Sequence, residues 1–155
     1  MLRKDREITD HRAISDIIKG CQVLRLGLSK DNTPYIIPLS FGYDGEFIYF
    51  HTASEGRKID YMTANNSVCF EFDHDVSLVT DENTACNWTF TFQSVVGYGT
   101  VHEITDRSGK AEGLNHIMEH YSGKSWKFGD AALDQTRVWR ITNETITGKQ
   151  SKDRF

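Results

Sequence analysis

A short polar turn followed by two adjacent cations, Arg57 and Lys58, is the part of the sequence best suited to bind a ligand. Thr52, Ser54 and Gly56 come directly before the cations. Hydroxyl groups can cap a helix, glycine lets the backbone approach a ligand closely, and free amides at a helix N-terminus favour an anion. Two cations at the end of a helix where the dipole prefers acids are unusual. The turn therefore predicts a phosphate-binding cradle, and a plain helix start with two solvated cations is the alternative.

The elements on either side of this turn are a strand and a short helix. Residues 46–51 alternate as a strand does, and Ile59 and Met62 predict about two helical turns that end near Ala64. The turn matches neither the Walker motif G-x-x-x-x-G-K-[ST] nor the dinucleotide motif G-x-G-x-x-G. A phosphate site here would therefore use a different strand-to-helix geometry.

Length, charge and cysteine content limit the class of protein. A chain of 155 residues is expected to form one domain over residues 1–155. The three cysteines form no C-x-x-C, the N-terminus has no apolar signal segment, and no apolar run is long enough to cross a membrane. These features predict a cytoplasmic protein. The formal net charge of −4 argues against a nucleic-acid surface, so any anion site must be local.

The order of the remaining elements predicts a mainly β protein with flanking helices. The expected elements are a helix capped by Thr9 or Asp10 and ending at Gly20, strands 23–28, 35–43, 46–51 and 67–74, a polar loop 76–85, a strand 88–105, a helix started by Asp106 or Ser108 and ending at Gly123, a helical piece 130–133 and a strand 137–142. The first three strands are expected to form a meander. Six strands without βαβ alternation favour a small antiparallel barrel.

Four segments of the chain together resemble the FMN-binding split barrels related to pyridoxamine-phosphate oxidase, and in particular their nitroimidazole-reductase-like branch. The segments are Pro38–Tyr43, Phe50–Ile59, Gln93–Gly99 and Ile146–Ser151. Their order and spacing extend the resemblance over nearly the whole chain. It implies a six-stranded antiparallel split β-barrel of Greek-key topology that binds FMN.

The resemblance also implies a set of cofactor-binding residues. They are Leu39, Ser40, Phe41, His51, Thr52, Ser54, Arg57, Lys58 and Ser94. The first three would lie against the isoalloxazine ring, and the two cations would bind the phosphate. Ser94 takes the place of a glutamine that bonds the ring in the oxidases.

A homodimer with the flavin at the subunit interface is a further implication of the resemblance. Trp126 and Trp139 are the candidates for aromatic contacts from the partner. The chain ends in Lys152–Phe155 and is expected to lack the Arg-containing segment with which the oxidases hold their phosphorylated substrate. Oxidation of pyridoxamine phosphate is therefore not the expected activity.

The expected function is an FMN-dependent reductase of small oxidised molecules such as 5-nitroimidazoles. A flavin supplies the redox chemistry, so the protein needs only to bind the phosphate and leave one ring face open. His51, if it faces the ring, is the candidate proton donor because its ordinary pKa is about 6.5. NAD(P)H is a possible electron donor, although no motif specifies it. For His51, the alternative is a histidine packed in its strand with no chemical role. For the protein, the alternatives are a non-catalytic flavin carrier or sensor, and a split barrel that uses haem or a deazaflavin. FAD is expected to bind less well than FMN.

One competing motif points to a metal. His116, Glu119 and His120 match the H-x-x-E-H string of inverted zinc peptidases. They are expected to lie on the solvent face of their helix, away from its apolar stripe, and Glu144 is the nearest later acidic residue considered as a third ligand. The match is therefore interpreted as accidental, and no metal site is expected.

Overall fold

The computed structural model describes residues 3–151. The strands are β1 (Glu7–Ile8), β2 (Leu24–Lys30), β3 (Thr33–Leu39), β4 (Gly42–Tyr43), β5 (Phe47–Thr52), β6 (Ser67–Val79), β7 (Thr89–Ile104) and β8 (Arg137–Gln150). The helices are α1 (His11–Gly20), α2 (Arg57–Ala64), α3 (Arg107–Ser122) and α4 (Asp130–Gln135). None of the helices in residues 3–151 is long and apolar enough to span a membrane.

All strands belong to one antiparallel sheet whose order is β3-β2-β6-β7-β8-β5-β4, with β1 beside β8. The two edge strands, β3 and β4, are consecutive in the chain and are separated only by Ser40 and Phe41. Three Cα–Cα steps of about 3.8 Å keep Leu39 within about 11 Å of Gly42. The sheet must therefore curl until its two edges meet. The predicted mainly β split barrel is confirmed, although the ladder of hydrogen bonds stays open between these edges.

The number of strands and the pairing differ from the prediction. The described residues form eight strands, because the predicted strand 35–43 breaks at Ser40 and Phe41 and β1 adds a two-residue strand. The predicted meander is wrong, since β3 pairs only with β2 whereas β5 pairs with β8 and β4. Segment 35–43 thus changes partner partway along, which lets one stretch of chain serve both edges of the curled sheet.

The helices follow the predicted signals. The Asp10 carboxylate caps α1 by accepting hydrogen bonds from the amides of Arg12 and Ala13, and the side chain of Ile18 is fully buried against the inner face of the sheet. Asp106 accepts the amide of Gly109 at the start of α3. A left-handed glycine, Gly123, follows the last turn of α3. The N-cap predictions for both helices and the C-cap prediction for α3 are confirmed, and α1 ends at Gly20 as predicted, with the extended residue Cys21 as its C-cap.

The polar loop predicted at 76–85 is wrong in its first part, because β6 continues to Val79. Asp75 adopts a positive φ of 53° and forms a bulge, after which Leu78 pairs with Phe90 of β7. The last strand is likewise longer than the predicted 137–142 and runs to Gln150. Bulges restore alternation after an extra residue, so a pattern search that requires strict alternation ends each strand too early.

Candidate functional site

Pairing between the two edges of the sheet stops at a seam, the name used here for Leu39–Phe41 together with Phe50–Thr52. The ladder between β4 and β5 pairs Gly42 with Tyr49 and Tyr43 with Ile48, and it stops at Gly42. If its register continued, Ser40 would lie opposite His51 and Leu39 opposite Thr52. On that register, the topology brings five of the predicted site residues, Leu39, Ser40, Phe41, His51 and Thr52, to one unpaired stretch of the barrel wall.

Phe41 borders the seam through its main chain only. Its side chain is fully buried and packs on Phe72, with 4.8 Å between the ring centroids. Its amide donates to the hydroxyl of Tyr121 at 3.1 Å, and that hydroxyl donates to the carbonyl of Gln22 at 2.7 Å. Tyr121 thus satisfies an amide that the interrupted ladder leaves free, a role that its place in the helical apolar stripe did not reveal.

His51 and Thr52 point to opposite faces of β5. The imidazole of His51 is exposed on the outer face, whereas Thr52 is buried in the barrel. The Thr52 hydroxyl donates to the carbonyl of Ala53 at 2.8 Å and accepts the indole N–H of Trp139 at 3.0 Å. This hydroxyl is therefore committed within the protomer.

The two tryptophans nominated for partner contacts have different environments. Trp139 is buried and stacks on Phe50 with 6.4 Å between centroids, so it belongs to the core of its own protomer and its nomination was wrong. Trp126 is exposed and donates its indole N–H to Ser122. Only Trp126 has a surface that another molecule could contact.

The cradle starts at Gly56, whose φ of 135° favours glycine. No side chain caps α2, so the expected capping by Thr52 or Ser54 is absent. The start of a helix carries amides without intrahelical acceptors, and here Arg57 and Lys58 add positive charge beside them. Arg57 lies over the ring of Tyr35 at 5.7 Å, which places the cradle against β3 and hence beside the seam.

A third cation, Arg137, lies at the cradle and was not predicted. One of its guanidinium N–H groups donates to the carbonyl of Ser54 at 3.3 Å, and its Nε donates to Glu103 at 2.8 Å. Hydrogen bonding to Arg137 lowers the pKa of Glu103, so this pair stays ionised and largely neutralises itself. The pairing of Arg137 with Thr52 across β5 and β8 could have suggested this position only once the register was known.

The environment of His51 lowers its pKa below the ordinary value of 6.5. Loss of solvent around the imidazole is the larger cause, and the positive charge of Lys58 is the second. His51 is therefore neutral at pH 7. Proton donation near neutral pH, as expected from an unperturbed histidine, would require an anion that offsets the charge of Lys58.

Ser94 is not part of this arrangement within one protomer. It pairs with Asp73 and Lys149, whereas His51 lies at the level of Val138 and Ile104. Ten residues of β7 separate Ser94 from Ile104, which is about 33 Å of strand path at 3.3 Å per residue. Ser94 can therefore join the other predicted residues only if a second protomer supplies it.

The histidines of the H-x-x-E-H string are packing residues, not members of a solvent face. His116 stacks on Tyr49 with 4.7 Å between ring centroids. The Nε2 atom of His120 lies 2.7 Å from the carbonyl oxygen of Cys21, and Glu119 accepts the hydroxyl of Ser125. Among residues 3–151, no group of three or more His, Cys, Asp or Glu side chains is arranged to hold a metal.

An unpaired seam that ends at an uncapped, cationic helix start defines a split barrel with a candidate anion site. The chain belongs to the pyridoxamine 5'-phosphate oxidase family, which it matches over residues 10–150. The C-terminal segment Lys152–Phe155, where the absence of a substrate-binding arginine segment was expected, lies outside the described residues.

Several solved structures share this fold. A candidate 5-nitroimidazole antibiotic resistance protein from Bacteroides thetaiotaomicron is 30% identical, with a TM-score of 0.83 over 93% of this chain and 86% of that chain. An FAD and heme binding protein from Mycobacterium smegmatis has a TM-score of 0.84 at 14% identity, over 95% and 74% of the two chains. An FAD-binding protein from Mesorhizobium loti has a TM-score of 0.69 at 23% identity, over 95% and 98%. A search of curated proteins found no significant match.

Proposed function

We propose that this protein binds FMN and uses it to reduce small oxidised molecules such as 5-nitroimidazoles. The observation that carries the proposal is the seam, which leaves one stretch of the barrel wall unpaired directly beside an uncapped helix start with two cations. Similarity to the Bacteroides protein at 30% identity supports the nitro-compound substrate class. The FAD-binding structures are less than 25% identical and support the fold alone.

The residues that would hold FMN fit its two ends. The first amides of α2, with Arg57 and Lys58, suit a phosphate because they combine hydrogen-bond donors with positive charge. Leu39 and Ser40 would border the ring in the seam. Thr52 would act indirectly, since its bond to Trp139 fixes the end of β5 from which the turn departs.

A bound flavin would supply the electrons, and residues of the protein would donate or accept the protons. His51 is the residue that would hold or release a proton at the edge of the seam, through an imidazole nitrogen. A phosphate bound to Lys58 would offset one of the two causes that lower the pKa of His51. The pKa of His51 would then rise toward its ordinary value of 6.5. NAD(P)H is the proposed electron donor, and the three free cysteines are compatible with a cytoplasmic, reducing location.

The partner that completes the site in this proposal is a second copy of the chain. The arm, residues 76–91, is a two-stranded extension beyond the barrel. One face of it exposes four large apolar side chains by 51–55%: Val76, Leu78, Trp88 and Phe90. A two-stranded hairpin with an uncovered apolar face is marginal in water, so the arm requires a cover.

A groove on the outer face of the same sheet is complementary to the arm. It has a volume of about 400 Å³, exposes Ile36 by 69% and Tyr98 by 57%, and reaches Asn65 just after α2. The arm carries Asp81 and Glu82 at its tip, opposite in sign to the cations of the cradle. Reciprocal docking of arm into groove would satisfy both surfaces of a symmetric dimer. It would also carry Ser94, four residues from Phe90, toward the partner's seam.

Replacing Arg57 and Lys58 together by Ala tests the cofactor site. Each charge-assisted bond to the phosphate contributes about 1.5–3 kcal/mol, so FMN affinity measured by flavin absorbance and fluorescence titration should fall by at least about 100-fold. The matched control removes Arg12 and Lys19, two exposed cations of α1, and should leave the affinity unchanged. If the Arg57/Lys58 variant bound FMN with wild-type affinity, the cradle would not be the phosphate site. A haem Soret band in the purified protein, without a flavin signal, would show that haem and not FMN is the cofactor.

The reductase activity needs a separate measurement. The FMN-loaded protein is reduced anaerobically with NAD(P)H or dithionite, a 5-nitroimidazole is added, and flavin reoxidation is followed. We expect reoxidation faster than that of free reduced FMN, and we expect His51→Ala to slow it while the protein retains FMN. Reoxidation at the rate of free FMN would leave a flavin carrier or sensor as the function.

A further inference from the structure

A cavity of about 410 Å³ lies between the start of α3 and the outer face of the sheet, apart from the cradle. Its walls include Tyr49, Ile104, Asp106, Ser108, Glu112 and Arg140. The volume falls within the range of small-molecule sites, and the walls come from four different elements that the fold holds rigidly together. We refer to this cavity as the Arg140 pocket.

Arg140 is the cation in the pocket without an anionic partner. Its guanidinium lies over the ring of Phe47, 4.5 Å from the centroid. Its Nε–H is shielded from solvent and has no acceptor, and none of the ion pairs among residues 3–151 involves it. Cations are normally paired when they are partly buried, so the charge of Arg140 is left without a counter-charge by the described residues.

The carboxylates of the pocket do not supply that counter-charge. Glu103 is bonded to Arg137, and Asp106 accepts the amide of Gly109 and the hydroxyl of Ser108 at the helix cap. Glu112 is exposed and takes part in none of the hydrogen bonds or ion pairs of the described residues. The pocket therefore presents one unpaired cation and one unpaired anion that do not reach each other.

Tyr49 marks the space between these two charges. Burial is the main cause that raises the pKa of Tyr49, and its bond to Asp44 adds to the effect. The charges of Arg140 and Glu112 then act on the same phenol in opposite directions. Both charges are therefore close enough to act on Tyr49, and all three residues line the same cavity.

We propose that the Arg140 pocket binds a small zwitterion, an aliphatic α-amino acid, with its carboxylate on Arg140 and its ammonium group on Glu112. A planar carboxylate matches the guanidinium fork and would pair with the N–H groups of Arg140 that face the cavity. The aliphatic side chain would lie against Ile104. An anion alone would face three carboxylates, and a cation alone would face Arg140, so a ligand with both charges fits best. This site is independent of the flavin proposal.

Isothermal titration calorimetry on the full chain tests the proposal with three related probes. L-valine carries both charges, isovalerate lacks the amine, and isobutylamine lacks the carboxylate. We expect one molecule of L-valine per chain and at least tenfold weaker binding of either half-ligand. If L-valine does not bind the wild-type protein, or if isovalerate binds as tightly as L-valine, the zwitterion site is wrong.

Variants assign the binding to this pocket. Glu112→Gln and Arg140→Gln should each weaken L-valine binding at least tenfold, whereas Arg107→Gln should not. Arg107 is the matched control because it also lies at the start of α3 but pairs with Asp130 and Asp134 outside the pocket. If Arg140→Gln fails to fold by circular dichroism, Arg140→Lys replaces it, since lysine keeps the charge but loses the fork and should also weaken binding.

The position of bound L-valine can be mapped independently by amide chemical-shift changes. We expect the largest changes at Ile104 and Gly109, which line the pocket, and little change at Arg57 and Lys58 in the cradle. Changes confined to the cradle would overturn the assignment. Unchanged affinity in both Glu112→Gln and the Arg140 variant would overturn it as well.

Discussion

His51 has a pKa that two features of its surroundings depress. Its pKa is lowered first by partial loss of solvent and second by Lys58. A histidine with a depressed folded pKa is neutral in both states at high pH, and the unfolded state takes up the proton first as pH falls. Stability should therefore decline as pH falls through 6.5 toward the lower folded pKa.

Replacing Lys58 by Gln should raise the pKa of His51 part of the way toward 6.5, because solvent exclusion remains. The ring resonances of His51, followed by NMR over pH 4–9, report this pKa directly. Lys127→Gln serves as the control because Lys127 is exposed on the segment before α4. A His51 midpoint that is the same in wild type and Lys58→Gln would show that Lys58 does not act on the imidazole.

At the scale of single residues, types and spacing predicted where α2 and its two cations begin but not the orientation of side chains. Arg57 and Lys58 lie where the strand-to-helix pattern places them. The commitment of the Thr52 hydroxyl to Trp139 depends on a contact 87 positions away in the chain, and local sequence carries no signal for it. The same holds for Arg137, which reaches the cradle only through the pairing of β5 with β8.

Helix α3 packs closely on β4 at Gly42, next to the seam. A Cβ on Gly42 would lie 2.3 Å from the carbonyl carbon of His116 and 2.5 Å from the amide nitrogen of Ile117. Backbone atoms in the middle of a helix cannot move aside separately. Gly42 is therefore required so that α3 can cover the edge of the sheet where the ladder ends.

Gly42→Ala should lower the free energy of unfolding by about 1–3 kcal/mol or more, because overpacking displaces α3 from β4. Urea unfolding monitored by tryptophan fluorescence gives this value. Gly129→Ala is the control, since its Cβ would meet nothing within 4 Å, and it should change stability by no more than about 1 kcal/mol. Equal stability of the two variants would mean that the α3–β4 contact is loose.

Elements with local signals were predictable, and pairings set by distant residues were not. Helices α1 and α3 were predictable because their capping residues and apolar stripes are local patterns, in which the interacting residues lie about four positions apart in the chain. The break at Ser40 and Phe41 follows from barrel closure, which depends on pairings between distant strands such as β5 and β8 and leaves no local mark. The extension of β6 past Asp75 was missed because the bulge at Asp75 interrupts the alternation and the acidic residues that follow Val79 resemble a loop.

For the molecule as a whole, most of the exposed large apolar side chains lie on two patches, the arm and the groove. The four apolar side chains of the arm and the groove around Ile36 lie on one chain, yet neither covers the other within that chain. Ser94 lies between them, far from its own seam. A second copy would explain all three facts with one interface, and the cofactor site would then be complete only in the dimer.

Replacing Leu78 and Phe90 together by Glu tests this interface. In the monomer both side chains are more than half exposed, so the fold should persist, as judged by circular dichroism. Two charges in an apolar contact should weaken self-association by at least about 100-fold, since buried anchor residues contribute about 2 kcal/mol or more each. Sedimentation equilibrium should then show a dimer for the wild type and a monomer for the variant, and the monomer should lose FMN affinity.

Val23→Glu, at an exposed apolar position outside the arm, should stay dimeric. A monomeric wild type, or a variant that remains a dimer with full FMN binding, would rule out the arm as the link between assembly and the cofactor site.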